Sequence, residues 1–397
     1  KVGIIPQPDW KDPEAFKALG RPKLFFCVSA GNLDSMVNNY TADKKVRRSD
    51  MYSPNNEGFH RPDRASIVYS NKLREAYKDI KIVLGGVEAS LRRFAHYDYW
   101  DAKVRRSLIL DAKADVLFYG MSEKGILQLA RDVQAGTAWD KLPQPPNSTM
   151  IFNSTEHLKS FCLLPSTEDI QKDKKKYAEH FVLYHTEGRK KHPRYIVEPW
   201  QKKFLVTSPP ENISSEELDA LFFLPFERAP HPRYKGKFIP CYDFVRFSTI
   251  SHRGCFGGCS FCAISQHQGK QITSRSKASI LKELETIITK DKDFKGMVFD
   301  IGGPTSNMYG MHCRSTEECT RNSCLYPEIC QQLDTSQNEL KDLLRSARKV
   351  PGINKVLIGS GVRYDLALLD NDYLDMIVQD HIGGQLSIAP EHVCNEV

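Results

Sequence analysis

The sequence predicts an α/β protein: a Rossmann-like open sheet over residues 1–134, a connector over 135–240, and part of a (β/α)6 barrel over 241–397. Three observations carry this. Short β-rich apolar runs alternate with helical stretches up to about residue 134, as buried parallel strands and their crossover helices do. Proline then recurs between residues 143 and 232 and breaks the rhythm. From Cys241 the βα alternation resumes.

Taken in order, LFFCVS (24–29), ASIVYS (65–70), KIVLGG (81–86) and DVLFYG (115–120) read as buried parallel strands. Two of them run straight into glycine, where open α/β sheets place their ligands. In the connector, RYIVEP and KFLVTS read as short strands. SSEELDALFFL (214–224) reads as a helix capped by Ser214, with Glu217 three residues on completing a capping box. FVRFSTIS (244–251) is expected as a strand. The helix after it has Ser276 at its N-cap and Ile280, Leu281, Leu284, Ile287 and Ile288 on one apolar face. GMVFDIGG (296–303), a helix around 339–349, KVLIGSG (355–361) and QLSIAP (385–390) extend the series of parallel βα units. These amount to fewer strands than a full barrel, so the chain is expected to be a fragment or to have its barrel completed by other residues.

Hydrophobic residues make up 40% of the 397 and charged residues 26%, which suits a globular protein. No apolar run approaches the roughly 20 residues that span a bilayer. The opening KVGIIPQPDW has no apolar signal-peptide segment. Together these predict a cytoplasmic location and no membrane partner. The formal charge is +7, with basic runs at 172–176 and 189–194. Spread in this way, the excess reads as solvated faces in preference to a nucleic-acid site.

Eleven cysteines are present, and seven fall between Cys255 and Cys330. An odd count clustered at metal-ligand spacing points to thiolate ligation in a reducing compartment, not to disulfides. The sharpest cluster is HRGCFGGCSFCAIS (252–265), spaced Cys-x3-Cys-x2-Cys. Three such thiolates, Cys255, Cys259 and Cys262, can hold three corners of an iron–sulfur cubane. Cys313 is the next cysteine along, about fifty residues away, so the local motif leaves the fourth iron open. Zinc usually takes two paired C-x2-4-C units, and a ferredoxin-type carrier takes C-x2-C-x2-C-x3-C; neither matches.

With its neighbours IIPQPDW (4–10), SAGNLDSMVNNYTADKK (29–45) and VLGGVEASLRRFAHYDYW (83–100), this motif resembles the YgiQ family of radical S-adenosylmethionine enzymes over nearly the whole chain. The resemblance implies a radical S-adenosylmethionine barrel holding a [4Fe-4S] cluster on Cys255, Cys259 and Cys262. It also implies S-adenosylmethionine as cosubstrate, a 5′-deoxyadenosyl radical acting on an unassigned substrate, and an electron donor such as flavodoxin or ferredoxin. Phe261 matches the aromatic whose backbone meets the adenine. Gly302 and Gly303 match the glycine pair that contacts the methionine amino group, although Pro304 stands where a glutamate is more usual. Ser360 and Arg363 are candidates for the methionine carboxylate, and Ser387 for the ribose.

VLGGVEAS followed by DVLFYGMSEKGILQLA resembles the cobalamin-binding domains that precede many such barrels, with Gly85, Gly86 and Gly120 on the ligand face. No Asp-x-His-x-x-Gly is present, which favours a cobalamin-free domain. AHYDYWDAKVRRS (95–107) is expected to be a helix that packs Tyr97, Trp100 and Val104, in preference to a base-stacking surface. Cys313, Cys319, Cys324 and Cys330 form a candidate second metal site for zinc or a closed cluster, because four thiolates match its ligand count. The competing functions are an iron–sulfur or zinc nucleic-acid-binding protein and a plain electron carrier. The open iron and the glycine pair favour the enzyme.

Overall fold

Parallel pairing begins where the apolar runs predict it. The computed structural model describes residues 1–319 and 321–388. Its chain divides into two units, the first comprising residues 1–212, 231–240 and 318–320 and the second the remainder.

In the first unit, β1 (Phe26–Ser29) and β2 (Ile82–Gly85) pair in parallel. A short antiparallel hairpin, β3 (His96–Asp98) and β4 (Lys103–Arg105), follows. Next come β5 (Val116–Phe118), β6 (Ser148–Phe152), β7 (Phe161–Leu163), β8 (Tyr195–Trp200) and β9 (Lys203–Thr207). All but the hairpin form one seven-stranded sheet in the order β1-β2-β5-β6-β9-β8-β7. The first three strands are mutually parallel; β6, β9 and β8 are added antiparallel, and β7 lies parallel to β8. Ile82, Leu84, Val116 and Leu117 are buried at the centre, as central strands covered on both faces require.

The stretch expected as a connector therefore supplies four of the seven strands. Two of these, β8 and β9, are the short strands expected from RYIVEP and KFLVTS; β6 is hidden because its buried positions include hydroxyls: Ser148, Thr149 and, opposite on β9, Thr207 are shielded, with the Thr149 and Thr207 Oγ1 atoms paired across strands at 2.8 Å. A second difference is ASIVYS, expected as a strand, which opens the helix Ala65–Ala76. The reason lies in its first amides: Ala65 N donates to Ser35 Oγ at 3.0 Å and Ser66 N to Glu88 Oε1 at 3.0 Å. Both acceptors come from distant segments, and Ala65, Tyr69 and Leu73 then share one buried face. A third is residues 95–107, expected as a helix, which contain the β3–β4 hairpin. Asp98 Oδ1 accepts from Trp100 N and Asp101 N, both at 3.0 Å, and so builds the turn. Tyr97 is consequently half exposed instead of packed.

In the second unit the helix Ser215–Phe222 carries the expected capping box, with Ser214 N donating to Glu217 Oε2 and Glu217 N to Ser214 Oγ. Phe244 and Val245 end the helix Pro240–Val245, so the strand expected from 244 is shorter: β10 is Ser248–Ile250. After it come β11 (His252–Arg253), β12 (Thr273–Ser274), β13 (Met297–Val298), β14 (Asp300–Gly302) and β15 (Lys355–Val356). β10 pairs parallel with β14, β13 parallel with β15, and Val362 bridges Ile388 in parallel. Neighbours in space thus follow chain order, the progression of a barrel wall and not of a doubly wound sheet. Ile388 is the one described residue of QLSIAP in that bridge, and Ala389 and Pro390 lie outside the described residues.

The helix Lys277–Thr286 starts at Ser276, whose side chain accepts from Ser279 N, and it buries Ile280 and Leu284 against Val298, Ile301, Leu343, Leu344 and Val356. Arg275 and Glu283 tie this helix to β10. The fully buried Arg275 guanidinium donates to Thr249 Oγ1 at 2.9 Å, to the Ile250 carbonyl at 3.0 Å and to Glu283 Oε2. Thr249 in turn donates to the same Glu283 oxygen at 2.7 Å. No helix among the described residues is long and apolar enough to cross a membrane.

Candidate active site

The cysteine loop leaves the carboxyl end of β10, and the glycine pair leaves the same end of its partner β14, with Ile250 in register with Gly302. Two of the loop's glycines are enforced by backbone geometry. Gly254 has φ +90° and Gly258 φ +62°, and a Cβ on either would run into a main-chain carbonyl, of Gln271 and Asn322 respectively. Gly257 differs: a Cβ there would stand 3.3 Å from Cys255 Sγ and 3.4 Å from Cys259 Sγ, filling the space that these two thiols flank.

Gly257 N donates to Cys255 Sγ at 3.4 Å, and Cys262 N donates to the Cys259 carbonyl at 3.1 Å. Burial raises the Cys255 thiol above its ordinary value, and the nearby Cys262 and Cys259 sulfurs push the same way. Arg363 stands across from the loop, with Nη1 3.7 Å from Cys259 Sγ. Among the described residues no group of three or more His, Cys, Asp or Glu side chains stands at metal-holding spacing. What the loop does offer is a soft donor set around a cradle that a side chain would fill, and this chemistry fits an iron–sulfur cluster.

The glycine pair is also closely packed. A Cβ on Gly302 would collide with Ser360 Oγ and Asp300 Oδ2, and one on Gly303 with the His252 ring. Ser360 is accordingly committed: its hydroxyl donates to Asp300 Oδ1 at 3.0 Å, and Gly359 N donates to the same oxygen at 3.0 Å. Burial pushes the Asp300 carboxyl above its ordinary value, opposed by these donors. Phe261 is exposed on the turn between the second and third cysteines. Ser387 is exposed as well, and it is its carbonyl that binds, accepting from Val362 N at 2.9 Å.

The structure thus gathers Cys255, Cys259 and Arg363 around Gly257, and Gly302 and Ser360 around Asp300. Asp300, His252, Asn307 and Asp365 escaped the sequence reading. A carboxylate inside the apolar run VFDIGG was the available signal for Asp300, since a buried acid needs a partner.

The candidate second metal site is partly packed beside this loop. Cys324 is buried with Phe256, Met308, Met311 and Leu333, and its N donates to the Phe256 carbonyl at 3.1 Å. Cys330 N donates to the Cys324 carbonyl at 2.8 Å, while Cys313 is exposed where it bridges Leu333. Cys319 is of intermediate exposure. In the first unit, Gly86 has φ +85° and Gly120 φ +67°, and Gly120 N already donates to Ser90 Oγ at 2.9 Å.

The radical SAM N-terminal family matches residues 1–248. A UPF0313 protein of Rhodopseudomonas palustris is 45% identical over 416 residues, covering 99% of this chain and 61% of that protein. One from Methanocella arvoryzae is 48% identical, covering 100% and 67%. The chain therefore spans about three-fifths to two-thirds of the length of these relatives. Among solved structures, the radical S-adenosylmethionine methyltransferase TsrM from Kitasatospora setae, with tryptophan substrate and a SAM analog bound, aligns at 15% identity with a TM-score of 0.47. That alignment covers 98% of this chain and 52% of the other.

Proposed function

We propose, given that this chain belongs to the radical S-adenosylmethionine superfamily and within it to the UPF0313 proteins, that Cys255, Cys259 and Cys262 hold a [4Fe-4S] cluster with one iron open to the cosubstrate. When bound, such a cluster would supply the electron for cleaving the S-adenosylmethionine sulfonium to methionine and a 5′-deoxyadenosyl radical, which would take hydrogen from a substrate. The electron comes from a small donor such as flavodoxin or ferredoxin. The observation that carries this reading is the position of the Cys255 and Cys259 thiols around Gly257, in the loop that follows β10, whose parallel neighbour β14 ends at Gly302, next to Gly303.

This chain's own residues then bind and orient. Gly302 and Gly303 offer backbone close to the cluster loop, and Phe261 presents its backbone to the adenine from the turn before the third cysteine. Asp300 faces Gly302 with a carboxylate where Pro304 has none to give. Arg363 supplies positive charge beside Cys259. The reading does not require cobalamin in the first unit.

Anaerobic reconstitution tests it. The protein should bind about four irons per chain, the number in one cubane, and its reduced EPR signal should change when S-adenosylmethionine is added. The Cys255→Ala/Cys259→Ala/Cys262→Ala protein should bind none of that iron. A signal indifferent to the cosubstrate would instead support an electron carrier.

A further inference from the structure

Arg363 is held from two sides before it reaches any ligand. Its backbone is clamped by Asn307, which is fully buried: Arg363 N donates to Asn307 Oδ1 at 2.8 Å, and Asn307 Nδ2 donates to the Arg363 carbonyl at 2.9 Å. Its side chain is clamped by Asp365, to which Nε donates at 3.0 Å and Nη2 donates on the other oxygen. Asp365 Oδ1 is itself fixed by the Leu366 amide at 2.9 Å. A long side chain ordinarily loses considerable rotamer entropy on being fixed, and this planar fork is fixed in advance. Nη1 remains, and it points at sulfur, 3.7 Å from Cys259 Sγ. Gly257 keeps the approach clear, since a Cβ there would stand 3.8 Å from Nη1 and against both thiols.

We propose that Arg363 is a positioning residue that fixes a positive charge against the Cys259 sulfur and so raises the reduction potential of the cluster held there, an inference that rests on the cluster reading above. Reduction adds one negative charge to the cluster and its thiolates. A guanidinium within hydrogen-bonding reach of one sulfur stabilises the reduced form more than the oxidised form. Asp365 partly cancels that charge at a distance. Near the sulfur the cationic end is the closer one, and both side chains are about three-quarters shielded from water, which limits screening. This differs from a role on the cosubstrate's carboxylate because it operates before any cosubstrate binds.

The test is a redox titration of reconstituted protein without S-adenosylmethionine, followed by EPR. In Arg363→Gln the ratio of reduced to oxidised cluster at a fixed applied potential should fall roughly tenfold, the size expected for losing one charge-assisted hydrogen bond. Arg363→Lys, which keeps the charge and loses the fork, should fall less. An Arg363→Gln titration superimposed on the wild type overturns the proposal. If Arg363→Gln binds less iron, Arg363→Lys must still titrate at a lower potential than the wild type, and no shift there also overturns it. A wild-type chain that assembles no cluster defeats the underlying reading and the proposal with it, and the iron assay separates that failure from an unchanged potential.

Discussion

Gly303 and His252 compete for one volume: a Cβ on Gly303 would stand 2.6 Å from Cε1 and 2.7 Å from Nε2 of the imidazole. The ring is fully buried and its Nδ1 pairs with Ser251 Oγ at 2.9 Å, so it has little room to retreat. Gly303→Ala should therefore destabilise the protein by about 1–3 kcal/mol through overpacking, whatever it does to the cosubstrate. His252→Ala in the same chain should return part of that loss. Urea unfolding of both singles and the double gives the coupling, and strictly additive effects would show that the two residues do not share the space.

His252 also makes the protein sensitive to acid. Burial holds its pKa down to about 4, against an ordinary 6.5, with the Thr305 backbone opposing only in part. The unfolded chain therefore binds a proton on this residue between pH 6.5 and 4 and the folded chain does not. The resulting stability is complete above pH 6.5 and drains away as pH falls towards 4. At pH 5 the loss attributable to this residue is about 2 kcal/mol relative to pH 7. His96 and His185 are depressed to about 4 in the same sense, so the comparison needs a His252→Gln protein as reference. Its unfolding free energy should change less than that of the wild type between pH 7 and pH 5, and equal changes would contradict the assignment.

Gly257 separates volume from backbone strain, because its φ lies outside the left-handed region and its backbone tolerates a side chain. Gly257→Val should lower the iron bound per chain severalfold after reconstitution and leave the thermal midpoint near that of the wild type. Full iron in that protein would mean the cluster sits away from the space between Cys255 and Cys259.

Glu283 receives Arg275, Arg228 and Thr249, and the Arg275 guanidinium is wholly buried. Glu283→Leu would remove the carboxylate hydrogen-bonded to that cation, leaving among the described residues only Asp219 at 4.0 Å from Nε, and should destabilise the second unit by about 3–5 kcal/mol. Replacing Arg275 by Met in the same protein should recover much of the loss, readable in the denaturant midpoint.

Those features that depend on local spacing were legible in the sequence. The strands around Val28, Leu84 and Leu117, the Ser214–Glu217 box and the Ser276 cap all follow from residues within a few positions of one another. The failures share a cause of the opposite kind. Residues 65–70 are helical because Ser35 and Glu88, distant in sequence, take their first amides. Residues 148–152 form a strand that the sequence hides, because the Thr149 hydroxyl pairs with that of Thr207 on the neighbouring strand and so makes a polar position acceptable inside. In the site, the Cys255, Cys259 and Cys262 motif is legible because its residues lie close together in sequence. Ser360 is a candidate for the cosubstrate by sequence, and nothing near it in sequence reveals that its hydroxyl donates to Asp300, sixty residues earlier.

The mixed pairing of the large sheet sets an order in time. β8 and β9 are joined through Gln201 and Lys202 alone, with Trp200 opposite Lys203, so their ladder can close as a hairpin within microseconds. β1 finds β2 only across a loop of more than fifty residues, and parallel pairs of that separation form slowly. During refolding, amides of 195–207 should gain protection from hydrogen exchange before those of 26–29. The late-closing edge is the one whose strands end at Ser29 and Gly85, so the loops that follow them would be the last part of the sheet to acquire a fixed shape.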